Sequence, residues 1–422
     1  MHRPTEGHAY RRLPLRSAGI RPLAALTALT AAMALVVTIG SAAANKRLKV
    51  CPSGCAYTTI QGALADAQSG AKIEIAAGIY PSFSVSKSVT LAGASAGETT
   101  INGGSSVNGV DVSVTITGVT ISGGTSGPGA GIYNEGTLTL RDSAVSNNVA
   151  SDVGRVSVCQ SPGSGQVNTG GGIYNVGTLM LKHSSVSDNF ARAASGGIYN
   201  AGALTLQEGS SVSDNVASFG GGAGILNTTG STATLRDSTV SDNEGCFGGG
   251  IGNGGTLTLQ NSTVRDNRGG EGTAAGISNG GTATLRDSTV SGNVGGEFSI
   301  GGISNSGTLT LQGSTVNNNI GFETGGISNS GVMTLQGSTV SDNFSDDVGG
   351  GIGNSGHATL RDTTVRRNFA AGIGGGIFNS GSLDLRDSTV SDNTAGHGGD
   401  GIFNSDGSVT LRSSAVQDCV GC

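Results

Sequence analysis

From residue 128 onward one pattern of apolar and polar positions repeats along the chain. Its core reads G-I-x-N, a short gap, an L-x-L segment, and then S-T-V-x-x-N. The Ile recurs at Ile132, Ile173, Ile198, Ile225, Ile251, Ile277, Ile303, Ile327, Ile352, Ile377 and Ile402, at intervals of 24 to 27 residues after a first interval of 41. A Leu column follows it, for example Leu259, Leu285 and Leu311, and a Val column, for example Val264, Val290 and Val316. Apolar and polar residues alternate around each column, which predicts three short strands per repeat. One repeat is too short for a propeller blade and cannot bury its own apolar face. Stacked at about 4.8 Å, the repeats turn the three columns into continuous aliphatic ladders with their edges paired. The predicted fold is all-β: a single-stranded right-handed parallel β-helix, a three-sided solenoid of eleven repeat coils, right-handed because parallel crossovers nearly always are.

Two Asn columns accompany the ladders, one through Asn253, Asn279 and Asn305, the other through Asn267, Asn293 and Asn319. Asn suits left-handed corners, and its amide both donates and accepts, so stacked Asn can bond from coil to coil. The Gly before every Ile suits a positive φ or a close approach between coils. Ahead of the repeats, residues 57–68 place Ile60, Leu64 and Ala67 at helical spacing, which predicts a short capping helix. Residues 72–79, 85–91 and 112–121 read as irregular first coils. The expected organisation is an export signal over 1–44, a cap with irregular coils over 45–127, the repeats over 128–418 and a tail over 419–422.

Composition narrows the class. The chain has 76 Gly, 7 Pro and no Trp in 422 residues. Gly without a G-X-Y period excludes collagen, and abundant Val, Ile, Leu and Thr oppose disorder. Arg3, Arg11, Arg12, Arg16 and Arg21 precede the apolar stretch 23–40 and an A-x-A site at Ala42-Ala43-Ala44, as in a secretory signal. An uncleaved anchor is the alternative. Five of the 23 basic and one of the 29 acidic residues lie in 1–44, so 18 stand against 28 in the rest, a charge of −10. That charge disfavours nucleic acid and anionic membranes as partners. All six Cys follow the signal, which favours disulfides outside the cytosol, with Cys51–Cys55 and Cys419–Cys422 as end staples.

The segments I-E-I-A-A-G-I-Y and S-V-T-L-A-G resemble the start of pectate-lyase-like β-helix proteins. The GGI and V-x-x-N motifs resemble the GGA-I and F-x-x-N repeats of chlamydial-type polymorphic outer membrane proteins. Val stands where the latter have Phe, and no alternating barrel strands follow the repeats. The pectate-lyase-like resemblance implies that acidic polysaccharide is a substrate to consider, cut by Ca2+-holding carboxylates with a base or by paired carboxylates.

Candidate chemistry sits in the variable turn after V-x-x-N. Asp346-Asp347, and His397 with Asp400, are the catalytic candidates; they resemble the D-D and G-H-G motifs of polygalacturonase-like hydrolases without the companion N-x-D and R-x-K. Glu271, Glu297, Glu323 and Asp347 form a column of like charge, and Ca2+ is the cofactor it would take. The repeated Arg-Asp pairs, such as Arg286-Asp287, read as solvated corners with weak ion pairs. Four Thr-x-Thr pairs, from Thr232/Thr234 to Thr308/Thr310, resemble the array of β-helical ice-binding proteins. Together these features favour an exported surface protein with a structural, adhesive or ligand-binding role, its partner a polysaccharide or other surface ligand. A polysaccharide lyase or hydrolase is the alternative, and an ice-binding protein the next.

Overall fold

In a computed structural model, residues 48–157, 159 and 168–422 are described; the signal expected over 1–44 lies outside them. They wind into a right-handed parallel β-solenoid. The coil of Ile277 represents the rest. Ile277–Asn279, Thr282–Arg286 and Thr289–Ser291 are its three main strands. They pair with their counterparts one coil on, Ile277 with Ile303, Leu285 with Leu311 and Val290 with Val316. The resulting Ile, Leu and Val sheets contain 14, 15 and 14 strands. A fourth sheet of ten two-residue strands, such as Val294–Gly295, adds a side that the sequence pattern does not announce. Its inward position is Ala, Gly or Ser, too small to leave an apolar column.

Ile277, Leu285 and Val290 are fully buried, as are nearly all their equivalents. The short helix Ile60–Asp66 is capped by Thr59, whose Oγ1 accepts from the Gly62 amide at 3.1 Å. It buries Ile60, Ala63 and Leu64 against the first strands of the Leu sheet. The irregular coils lead on to eleven repeat coils that hold register throughout.

The Asn columns are hydrogen-bonded ladders. Asn253 Nδ2 donates to Asn279 Oδ1 at 2.7 Å, and Asn279 Nδ2 to Asn305 Oδ1 at 2.7 Å. In the second column Asn267 sends both its amide N and its Nδ2 to Asn293 Oδ1, at 3.0 and 2.9 Å. The left-handed corners expected at these Asn belong elsewhere. They fall on the residue before the second column, such as Asp242 (φ 58), and on the residue ending the Leu strand turn, such as Asp287 (φ 49). The Asp of each Arg-Asp pair is therefore a corner residue, and its place is taken by Asn261, Gly313 or Gly337 in other coils. The Gly before each Ile does not take a positive φ. A Cβ on Gly276 would stand 2.5 Å from the Gly302 carbonyl oxygen, so close coil approach is what demands Gly there.

The six Cys form three disulfides, Cys51–Cys55, Cys419–Cys422 and Cys159–Cys246. The last pins the insertion of the first repeat coil across to the turn three coils further on. Ser218 helps: its carbonyl accepts from the Cys159 amide at 2.5 Å, and its Oγ donates to the Ser157 carbonyl at 2.6 Å.

Candidate functional site

The outward residue of each Ile-sheet strand lies between Ile and Asn. In coil order it reads Tyr133, Tyr174, Tyr199, Leu226, Gly252, Ser278, Ser304, Ser328, Gly353, Phe378, Phe403. Large side chains thus flank five consecutive small ones, so a trough runs between Leu226 and Phe378. The three Tyr stack with centroids 5.5 and 4.7 Å apart. Burial raises the phenol pKa of Tyr133 and of Tyr174, helped at Tyr133 by the adjacent Glu135 carboxylate and at Tyr174 by Tyr199 and Tyr133. Phe378 stacks on Phe403 at 6.2 Å and 11°. Its other face looks toward Gly353, its partner in the preceding coil, which has no side chain to cover it.

The trough ends there in a concavity of about 180 Å³. Phe378, Gly353, Ser328, Thr324, Glu323 and Asp347 are among the residues that line it. A Cβ on Gly353 would stand 2.7 Å from Thr324 Oγ1, so Gly keeps the site open. The turns of Glu323 and Asp347 are tied together by hydrogen bonds. Val348 N donates to the Glu323 carbonyl at 3.2 Å, and Ser345 Oγ lies 2.9 Å from the same oxygen. Asp347 N donates to Ser345 Oγ at 3.1 Å. One open aromatic face, two carboxylates and several hydroxyls thus converge. An aromatic face offers apolar contact and the polar groups fix orientation, as in sites for small polar molecules.

The structure separates the residues singled out from sequence. Glu323 and Asp347 line the concavity; Asp346 is exposed on the outer side of the same turn. His397 N donates to the Gly372 carbonyl, and Gly372 N to that of Asp347, so Asp347 and His397 stand two coils apart with Gly372 between. That is roughly 10 Å at 4.8 Å per coil. Asp400 is occupied: its Oδ1 accepts from the Ala395 amide at 2.7 Å, which closes its own turn. Glu271 and Glu297 keep register, since Ala274 bridges to Ile300. Glu323 does not follow them. Its amide bonds the Ser299 carbonyl at 3.1 Å, because the turn of Glu297 is two residues longer. All four acidic residues of this column are exposed, and among the described residues no three His, Cys, Asp or Glu side chains gather closely enough to hold a metal.

Phe378 and the trough escaped the sequence reading, though the run of small residues at one repeat position is a visible signal. The Thr-x-Thr pairs do lie outward and in register, Thr232 with Thr256, Thr282 and Thr308 in turn. His183, His357 and His397 sit on three different positions of the coil.

No protein-family model matches the chain, and no curated protein matches it. Solved structures similar to it include pectate lyase Pel9A, at 10% identity over 90% of this chain and 80% of that one, with a TM-score of 0.28. Another is the PL6 family polysaccharide lyase Pedsa3628 from Pseudopedobacter saltans, at 12% identity over 88% and 92%, TM-score 0.37. A third is the A-module of the mannuronan C-5 epimerase AlgE6 from Azotobacter vinelandii, at 14% identity over 86% and 93%, TM-score 0.31. These likenesses concern the solenoid alone, and none bears on the repeats' resemblance to polymorphic outer membrane proteins.

Proposed function

We propose that the protein is an extracellular binding rod whose Ile-sheet trough holds one end of a polysaccharide against Phe378. The observation that carries this reading is that Phe378, with only Gly353 before it in the preceding coil, lines one concavity together with Glu323 and Asp347. A sugar ring has an apolar face and a hydroxyl edge, and the concavity offers a surface for each. From the coil of Gly252 to that of Gly353, neither flank of the trough carries Lys or Arg. An anionic polymer would find no counter-charge there, so neutral or amino sugars suit the trough better than the acidic polysaccharide first considered. Three disulfides support an oxidising, extracellular setting. Among the described residues no helix is long and apolar enough to cross a membrane. A glycan array with product analysis tests the reading: it expects retention of an intact neutral or amino glycan, lost in Phe378→Ala.

A second reading, hydrolysis of the bound chain, rests on one observation. Glu323 and Asp347 present two carboxylates at neighbouring coil positions on one concavity, the pairing that glycoside hydrolysis uses. Shortened glycan after incubation, absent with Glu323→Gln or Asp347→Asn, would establish it.

A further inference from the structure

The fourth sheet carries a second feature, which shares only the acidic residues Glu323 and Asp347 with the concavity of the trough. Its outward column runs Arg268, Val294, Ile320, Phe344, Phe369, Thr394, in register from coil to coil. The four middle residues are each 37–43% exposed, and Phe322 (37%) and Phe298 (61%) extend the patch from the adjoining turns. Every exposed Phe among the described residues is in this one place. Single exposed apolar residues are ordinary, but a contiguous ridge over four coils marks an interaction surface.

Two observations identify what would cover it. First, the rings spend their faces on each other. Phe344 and Phe369 stack at 5.2 Å and 13°, and Ile320 and Thr394 stand on either side of them. The ridge therefore presents ring edges and aliphatic groups, which suit apolar side chains rather than a sugar face. Second, a stripe of carboxylates runs beside it. Glu297 adjoins Phe298, Glu323 adjoins Phe322, and Glu271, Asp346 and Asp347 continue the stripe, with no Lys or Arg in these turns. On the other flank Arg367 is held by Asp342 at 2.7 and 2.9 Å, which leaves Arg268 at the foot of the ladder and Arg366 on the neighbouring sheet.

We propose that this ridge docks a basic amphipathic segment of another protein, with apolar side chains on the ladder and Lys or Arg against the stripe. A helix offers one apolar residue per turn of about 5.4 Å, close to the coil spacing of about 4.8 Å, so neighbouring turns can meet neighbouring coils. A second copy of this chain would bring its own carboxylates to the contact, where like charges oppose one another. Anionic membranes are disfavoured by the same carboxylates.

The probe is a fluorescent helical Leu/Lys peptide, compared with a Leu/Glu peptide of the same pattern by anisotropy. The Leu/Lys peptide is expected to bind at least about ten-fold more tightly, and less tightly as salt rises. Phe344→Ser/Phe369→Ser should lose about ten-fold or more, and Glu271→Gln/Glu297→Gln should flatten the salt dependence. Melting curves establish that each variant is folded, and Phe298→Ser, placed in a turn, serves if the double variant is not. The Phe344→Ser/Phe369→Ser protein should still bind glycan, so failure here and failure of the trough reading are separable. Equal binding of both peptides, or binding unchanged in folded ridge variants, overturns the proposal. So does self-association or vesicle binding that the ridge variants abolish.

Discussion

Asn279 gives its side-chain Nδ2 to the Oδ1 of Asn305 at 2.7 Å while accepting the same bond from Asn253 at 2.7 Å. It also donates to the Thr308 carbonyl at 3.0 Å. Replacing it with Ala removes these bonds and leaves the buried Oδ1 of Asn305 without its donor, while Asn253 Nδ2 keeps the Gly255 and Thr282 carbonyls. The expected cost is about 1–3 kcal/mol. Because each coil touches only its neighbours, amide exchange should quicken in the coils around Asn279 and not at the rod's ends. Unchanged protection in the coils of Asn253 and Asn305 would contradict the ladder's role.

Leu285 is fully buried between Leu259 and Leu311. Leu285→Asp places an unpaired charge in that ladder, and the expected loss exceeds about 3 kcal/mol. A near-normal thermal transition would mean that the strand faces the other way.

The ladders were legible because stacking makes inward positions repeat: Ile277, Leu285 and Val290 recur as residue types, and Asn279 recurs because a buried amide needs an amide above and below. The corners were legible only in part. Asp287, Asn261 and Gly313 share a left-handed backbone, and alternation among Asp, Asn and Gly is the mark of that conformation. An Arg beside several of the Asp residues suggested an ion pair instead. The Cys159–Cys246 pair left no local sign beyond being the two Cys outside the end staples, since 87 residues separate its members and the path of an insertion joins them. The site was hidden for another reason: Phe378 matters because Gly353, one coil earlier, leaves its ring uncovered, a relation of register that neither residue shows alone.

The Arg367 guanidinium holds the Asp342 carboxyl below its ordinary range, through a hydrogen bond first and charge attraction second. A depressed folded pKa stabilises above the unfolded value and is lost as pH falls through the folded one. Arg367→Ala should therefore lower the melting temperature slightly near neutrality. The difference from the unaltered protein should shrink in acid, below the ordinary carboxylate pKa. A difference that persists or grows there would assign the loss to packing.

Ca2+ prefers six to eight oxygens, whereas the turns of Glu271, Glu297, Glu323 and Asp347 supply one column carboxylate per coil. Titration to about 10 mM Ca2+ should raise the melting temperature little, and any rise should vanish in Glu323→Gln/Asp347→Asn, the two that share a concavity. A large rise that survives those changes would place the ion elsewhere.

The central claim is that the open face of Phe378 receives a sugar. The direct measurement is calorimetric titration of the purified protein with a neutral or amino oligosaccharide retained on the array, beside Phe378→Ala and with products analysed. The account predicts binding to the unaltered protein, weakening of about ten-fold or more in a folded Phe378→Ala, and oligosaccharide recovered intact. Equal affinity in the two proteins, or no retained glycan at all, would contradict it.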